Sequence, residues 1–157
     1  MSLARENVQD YPRPPGLEPV GLRLSVVLNG VEIAATERGW RVLETHHPPS
    51  YYFPPEDIRP GVLRASAGLT ICEWKGIAHY LDVVVEPKEE LRAAWVYPNP
   101  SAAFAAIAGH VAFYPTQMDA CFVGDVRVDP QPGAFYGGWV TPNLDGIVKG
   151  GPGTEGW

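Results

Sequence analysis

The chain has 157 residues, a formal net charge of −6, and 17 glycines and 17 prolines, which together favour one domain of many short elements joined by turns. Its apolar residues (45%) and charged residues (19%) exclude a disordered chain, and no apolar run approaches the roughly 18 residues of a membrane span. The 12 basic residues are scattered along the chain, so nucleic acid is not expected as a partner.

Residues 1–20 are predicted to form an irregular lead. Its prolines hold the backbone extended and remove hydrogen-bond donors. The strongest hairpin signal follows, because the alternating apolar segments 22–28 and 31–36 flank Asn29-Gly30. Asn-Gly supplies the two positive-φ positions of a type I′ turn. A β-hairpin is therefore predicted at this point.

Further short strands are predicted through the middle of the chain, where β-branched and aromatic residues lie between Gly and Pro turns. They span residues 41–46, 51–53, 62–67, 69–72, 77–85, 91–97, 111–114 and 120–129, the last as a small hairpin turning at Gly124-Asp125. One helical turn is expected at 55–58. A helix of about three turns is expected at 100–109, with Asn99 as its N-cap and Gly109 at its end.

This succession predicts a mainly β domain over residues 21–129, with nine or ten short strands and one short α-helix. No α/β alternation is visible. Residues 130–157 form a Gly- and Pro-rich extension that keeps Phe135, Tyr136, Trp139 and Trp157. A disordered tail rarely carries so many aromatic residues, so the extension is expected to pack on the β core.

No metal site and no cofactor are predicted. Cys72 and Cys121 lie far apart and lack Cys-x-x-Cys spacing, whereas structural zinc usually takes four ligands. His46 and His47 point to opposite sides of an extended segment, so they are expected to be loop histidines. The glycine-rich segment 149–153 lacks phosphate-loop spacing and is expected to be a surface loop. A cytosolic protein with two reduced thiols is the prediction.

The segment from Cys72 to His79 is the densest group of reactive residue types. If Lys75-Gly76 alone formed a two-residue turn, Cys72 would lie opposite His79 with their Cβ atoms ~5 Å apart, close enough for a thiolate–imidazolium pair. A longer turn would place Cys72 opposite Ile77. We favour the longer turn because Lys is unfavourable at a positive-φ position. A small buried cysteine is then the simpler interpretation.

Amphipathic aromatic residues concentrate in the same part of the chain. They are Tyr51, Tyr52, Trp74, Tyr80, Trp95 and Tyr97. With Asp57 and Lys75 on neighbouring turns, they are predicted to line a pocket that has apolar walls and a few fixed charges. The alternative is that aromatic core packing alone accounts for most of them.

Three segments resemble the bacterial family known as domain of unknown function 427. They read RVLETHHPPSYYFPPED at residues 41–57, CEWKGIAHY at 72–80 and AWVYPNP at 94–100. The similarity covers about residues 22–115, and the ending resembles that of the family's longer members. The resemblance implies an antiparallel β-tent of two small sheets, similar in topology to methionine sulfoxide reductase B and to the thalidomide-binding domain of cereblon. Those relatives usually hold zinc through paired Cys-x-x-Cys knuckles, which this sequence lacks.

We therefore expect a domain that binds a small molecule in a pocket between the two halves of the β-tent. The residues expected to line it are Tyr52, Asp57, Lys75, Tyr80, Trp95 and Tyr97. One alternative is a metal-independent enzyme with Cys72 or Lys75 as nucleophile and Asp57 or His79 as acid–base partner. Another is a protein-interaction module anchored by the aromatic turn. No motif specifies the ligand or an oligomeric state.

Overall fold

The computed structural model describes residues 3–72, 74–133, 136–151, 153 and 154. Strands account for 49% and helical turns for 10%, which confirms the predicted mainly β class. In chain order the strands are β1 (Glu6–Asn7), β2 (Gly16–Val20), β3 (Leu24–Leu28), β4 (Val31–Thr36), β5 (Gly39–Leu43), β6 (Ser50–Tyr52), β7 (Leu63–Cys72), β8 (Gly76–Val85), β9 (Lys88–Val96), β10 (Val111–Phe113), β11 (Ala120–Val123), β12 (Val126–Arg127), β13 (Asp129–Pro130), β14 (Trp139–Val140) and β15 (Leu144–Asp145).

The strands form several small sheets. Sheet I has the order β10-β9-β8-β7, sheet II has the order β12-β11-β3-β4, and sheet III has the order β2-β5-β6. All three are antiparallel. The C-terminal segment adds the antiparallel pair β13-β14 and the parallel pair β1-β15. An isolated bridge between Phe53 and Val111 links the end of sheet III to the edge of sheet I.

Two hydrophobic clusters fill the interior. In the larger one, the Phe53 ring lies 5.5 Å from that of Phe113 and 6.0 Å from that of Trp139, measured between centroids. The smaller one gathers Tyr52, Trp95, Tyr97, Phe104 and Ile107, among others. This second cluster is built largely from the aromatic residues that the sequence singled out, and it forms the back of the cavity described below.

The predicted Asn29-Gly30 hairpin is confirmed. Both turn residues have positive φ, 51° for Asn29 and 73° for Gly30, as a type I′ turn requires. The turn joins β3 to β4. The Asp119 carboxylate accepts a hydrogen bond from the Gly30 N–H at 3.0 Å, so a side chain from the loop before β11 fixes the turn.

The helical element near residue 105 differs from the predicted three-turn α-helix. It is a 3-10 helix, Ala102–Ile107, in which Phe104 leaves the helical region at φ −115° and ψ 18°. Ser101, not Asn99, is its N-cap and makes no side-chain capping bond, because its hydroxyl donates to the Trp74 carbonyl instead. Without a cap, and with Phe104 drawn into the core, the segment stays short. No helix among the described residues has the length and apolar character needed to cross a bilayer.

Three other expectations are corrected. The lead is not irregular, because β1 and β2 lie within it. Pro19 is accommodated because β2 is the edge strand of sheet III, where a missing N–H costs no ladder bond. The break expected at Gly68 is a bulge inside the continuous strand β7, with φ +106° at Gly68, and fifteen strands are described instead of nine or ten.

Trp139 brings the C-terminal extension into the larger core. Its side chain is 1% exposed, and its ring centroid lies 5.0 Å from that of Tyr51. The indole Nε1–H donates to the Phe113 carbonyl at 3.1 Å, and the backbone N–H donates to the Pro49 carbonyl at 2.8 Å. Two further aromatic residues on which the packing prediction drew, Phe135 and Trp157, lie outside the described residues.

Acid should weaken this fold through three aspartates. Hydrogen bonds from the Thr36 hydroxyl, the Arg92 N–H and the Gly30 N–H lower the pKa of Asp57, Asp82 and Asp119, respectively. Because each folded-state pKa lies below the ordinary value of 3.8, their stabilisation is complete above that pH and is lost as the pH falls through the folded-state values. Urea unfolding should give a free energy that falls slightly below about pH 6.5, where the unfolded His47 binds a proton that the buried imidazole disfavours, and that falls further below about pH 4. Asp82→Asn should flatten the decline; an unchanged slope would contradict the assignment.

Candidate functional site

A cavity of about 330 Å³ is lined by residues from sheet I, from sheet III with the loop between β5 and β6, and from the C-terminal segment. Its aromatic floor consists of Tyr52, Tyr80, Trp95, Tyr97 and Tyr114. Tyr80 and Trp95 are directly paired residues of β8 and β9, so the pleat of sheet I turns both side chains to the same face.

Hydrogen bonding and ring packing hold this floor in place. Tyr52 is 1% exposed, and its hydroxyl accepts a hydrogen bond from Trp95 Nε1–H at 3.1 Å. The two rings meet edge to face, with centroids 6.2 Å apart. On the other side, the Tyr114 ring lies 4.7 Å from Trp95. The indole is therefore enclosed by two phenols, and the floor has little freedom to move.

Burial keeps the phenols of the floor neutral. It is the main cause that raises the pKa of Tyr52, Tyr97 and Tyr114 above the ordinary value of 10.0. Neighbouring phenols raise the pKa of Tyr97 and Tyr114 further. At neutral pH these hydroxyls are protonated, so the floor offers hydrogen-bond donors and acceptors but no negative charge.

Lys75 occupies the turn between β7 and β8 at the side of the cavity. The Ser101 N–H donates to the Lys75 carbonyl at 2.9 Å, and Gly76 has a φ of +111°, which favours glycine. The Lys75 Nζ lies 6.0 Å from the centroid of the Tyr97 ring and 5.9 Å from that of Phe104, within cation–π range. Among the described residues, no carboxylate lies within ion-pair distance of Lys75. Its ammonium therefore lies beside two aromatic rings at the side of the cavity.

Gln131, 3% exposed, connects three parts of the opposite wall. Its Oε1 accepts from the Gly138 N–H at 3.2 Å, and its Nε2 donates to the Lys149 carbonyl at 2.8 Å. The same Nε2 lies 3.3 Å from His47 Nδ1. Because the amide nitrogen can only donate, Nδ1 accepts, and the neutral imidazole carries its proton on Nε2. One side chain thus fixes the positions of His47, Gly138 and Lys149.

Burial and nearby charged residues both shift the pKa of His47. Burial is the main cause that lowers its pKa below the ordinary value of 6.5. The Glu44 carboxylate opposes that shift, whereas Lys149, Lys75 and Arg13 reinforce it. A neutral imidazole is therefore favoured at pH 7, and the cations acting on it outnumber the carboxylates.

Gly137 and Gly138 bring the backbone directly onto the cavity wall. A Cβ atom at Gly137 would lie 2.5 Å from Cη2 and Cζ3 of Trp95, and one at Gly138 would lie 2.5 Å from Gln131 Oε1 and Pro48 Cγ. Neither position has space for a side chain. The Gly-Gly pair therefore lets the C-terminal segment close against the aromatic floor.

The structure brings together five of the six residues predicted to line the pocket. Tyr52, Lys75, Tyr80, Trp95 and Tyr97 all line the cavity, although their role in binding stays a prediction.

Asp57 does not line this cavity, and its predicted place beside Lys75 is wrong. Its carboxylate accepts from the Thr36 hydroxyl at 2.7 Å and from the Arg38 guanidinium at 3.1 Å. A bridge between Ala34 and Ile58 draws the turn after Pro54-Pro55 toward β4 of sheet II. Asp57 therefore stabilises the packing of that turn and is not available to Lys75.

The hairpin after β7 has neither of the two registers considered. Cys72 pairs with Gly76, and His79 pairs with Leu69; Glu73, which follows Cys72 in the sequence, lies outside the described residues. Cys72 lines the cavity, but His79 is exposed on the opposite face of β8 from Tyr80. The two are not a catalytic pair.

The contacts on which the enzyme and protein-interaction alternatives depended are not formed as predicted. Asp57 and His79 both lie outside the cavity, so neither Cys72 nor Lys75 has its expected acid–base partner. Trp74, the aromatic residue of the turn, packs half-buried against the smaller hydrophobic cluster. The second thiol, Cys121, is in the core, where burial raises its pKa to about 12. In the described part of the chain, no group of three or more His, Cys, Asp or Glu side chains is placed to hold a metal ion.

Tyr52→Phe tests how the floor is held. The substitution keeps the ring but removes the acceptor of Trp95 Nε1–H, so we expect the free energy of unfolding to fall by about 1–2 kcal/mol, the cost of a buried unsatisfied donor. Trp95→Phe alone removes the donor. Chemical denaturation of the single and double variants should show that the double variant loses less stability than the sum of the two; strict additivity would mean that the hydrogen bond contributes nothing.

The model of the family described as domain of unknown function (DUF427) matches residues 16–124. The matched segment includes the aromatic floor and Lys75 but ends before Gln131. A search of curated proteins gives no match.

Proposed function

Since the chain belongs to the family of unknown function DUF427, we propose a function from its own cavity: it binds a small organic molecule that has a flat apolar part and an acidic group. The observation that carries this proposal is the position of Lys75, whose ammonium lies 6.0 Å from the Tyr97 ring centroid beside a floor that includes Tyr80 and Trp95. Aromatic walls remove apolar ligand surface from water, and a fixed cation orients the acid.

The size of the cavity limits the ligand. About 330 Å³ is at the small end of ligand sites, which range from about 300 to 1,000 Å³. A ligand with one or two fused rings suits this space. We place the protein in the cytosol, where Cys72 at the cavity and Cys121 in the core would remain the free thiols that they are here.

The proposal is tested with two probes built on the same rings, the anion 2-naphthoate and the neutral alcohol 2-naphthalenemethanol. Both should bind saturably and change the fluorescence of the protein, because Trp95 lines the cavity. Lys75→Gln should weaken 2-naphthoate binding about tenfold, the effect of losing about 1.4 kcal/mol from a charge-assisted contact. Binding of the neutral alcohol should stay within about twofold.

Lys88→Gln is the matched control. Lys88 pairs with Asp119 beside the Asn29-Gly30 turn and does not line the cavity, so the same loss of one charge should leave both affinities unchanged. Absence of saturable binding by both probes would contradict the proposed function. Equal weakening by the two lysine substitutions would contradict the role of Lys75, since it would reflect only the net charge of the protein.

A further inference from the structure

A second cavity adjoins the aromatic one. It measures about 270 Å³ and is lined by Arg13, Thr45 and His46 together with Glu44, His47 and Lys149. The last three residues also line the aromatic cavity. These three residues border both cavities, so the two cavities are adjacent.

Among the described residues, basic side chains outnumber carboxylates along the two cavities. In the part of the chain that the structure describes, Lys75 lines the first cavity, Arg13 lines the second and Lys149 lines both, whereas Glu44 is the only carboxylate that lines either. This excess of cations occurs in a chain whose formal net charge is −6. A local positive site on an acidic protein attracts anions and disfavours cationic ligands.

The backbone of this shared wall is fixed from both sides. The Lys149 N–H donates to the His46 carbonyl at 2.7 Å, and the Lys149 carbonyl accepts from Gln131 Nε2 at 2.8 Å. The Lys149 Nζ lies 5.3 Å from the centroid of the Tyr136 ring. The second cation is therefore positioned in the same manner as Lys75, by a pinned backbone and an aromatic face.

We propose that the ligand is an elongated organic dianion, with its ring body on the aromatic floor, one acidic group at Lys75 and a second acidic group in the adjoining cavity between Arg13 and Lys149. This inference rests on the proposed function and narrows its ligand class from a monoacid to a diacid. Arginine and lysine on the two sides of one acidic group provide charge-assisted hydrogen bonds that a neutral group would not receive.

The test compares 2-naphthoate with a flexible diacid built on the same rings, 6-(carboxymethoxy)-2-naphthoate. The diacid should bind about tenfold more tightly, corresponding to about 1.4 kcal/mol. Arg13→Gln should remove most of that gain and leave 2-naphthoate binding within about twofold. Arg59→Gln is the matched control, because Arg59 is exposed and lines neither of these cavities; it should leave both affinities unchanged.

Three outcomes would overturn the inference. The diacid could bind no more tightly than 2-naphthoate, Arg13→Gln could weaken both probes equally, or Arg59→Gln could have the same effect as Arg13→Gln. If Lys75-dependent binding of 2-naphthoate persists in any of these cases, the proposed function stands and only the diacid class is wrong. If 2-naphthoate and 2-naphthalenemethanol both fail to bind, the proposed function fails as well.

Discussion

Replacing Trp139 with alanine should lower the free energy of unfolding by about 3–5 kcal/mol, the usual cost of removing a large buried aromatic side chain. The indole is 1% exposed and packs on Tyr51 and Phe53. Its loss would also leave the Phe113 carbonyl without the hydrogen bond from Nε1. Because Trp139 joins the C-terminal extension to the core, the variant should also expose residues 130–150 to proteolysis. Urea unfolding and limited proteolysis measure the two effects.

Two other substitutions serve as controls for the stability loss of Trp139→Ala. Trp139→Phe keeps most of the apolar volume and should cost clearly less than Trp139→Ala. Trp40→Ala removes an equal side chain from β5, where Trp40 is only half-buried, and should also cost less. A loss below about 1 kcal/mol for Trp139→Ala would show that the extension does not contribute to the stability of the core.

Gln131→Leu should have the second-largest effect and should act on both stability and binding. The apolar side chain leaves the Gly138 N–H and the Lys149 carbonyl without their partner. We expect a loss of roughly 2–4 kcal/mol, because the buried N–H costs about 1–3 kcal/mol and the part-buried carbonyl about 1 kcal/mol. Since the same amide holds His47, the shared wall of the two cavities should loosen. Affinity for 2-naphthoate, measured at a temperature where the variant is folded, should fall at least tenfold.

The chain offers a matched control for this substitution. The Gln117 amide donates to the Leu91 carbonyl at 2.8 Å on the exposed surface. Gln117→Leu should therefore cost less than about 0.5 kcal/mol and leave binding unchanged. If the two variants behave alike, Gln131 does not organise the wall.

Most elements of the fold could be predicted from local sequence patterns. Asn29-Gly30 specified its turn because the two residues that adopt positive φ are adjacent in the sequence. The long strands β8 and β9 were predicted to within a few residues because a strand's character is contained in its own side chains. The helical element at 102–107 was less accessible, because Phe104 leaves the helical region to reach a core that local propensity does not describe.

The candidate site was predictable only on its sheet side. Tyr80 and Trp95 lie on β8 and β9, two strands that the sequence predicts, and the pairing of these two residues places them on the same face. The direction of Asp57 depends on the contact between its turn and β4, and no pattern in residues 54–57 reveals that contact.

The opposite wall was missed for a different reason. Gln131 and His47 are 84 residues apart, and neither lies in a periodic element. Residues 46–47 and 149–153 were interpreted as ordinary loops, which their composition supports. The only available signal was the retention of Tyr136 and Trp139 in a segment otherwise rich in Gly and Pro.

The contact between Gly137-Gly138 and the aromatic floor joins a segment outside the family match to one inside it. The floor that it touches lies within residues 16–124, the segment matched by the family model, whereas the two glycines, Gln131 and Lys149 lie beyond it. The family model therefore covers the floor, whereas part of the wall that packs on it comes from residues outside the matched segment. Under the proposed function, we expect two relatives with the same Tyr80 and Trp95 but different endings to prefer different ligands. Grafting residues 131–149 onto a relative should transfer the preference without altering its β core.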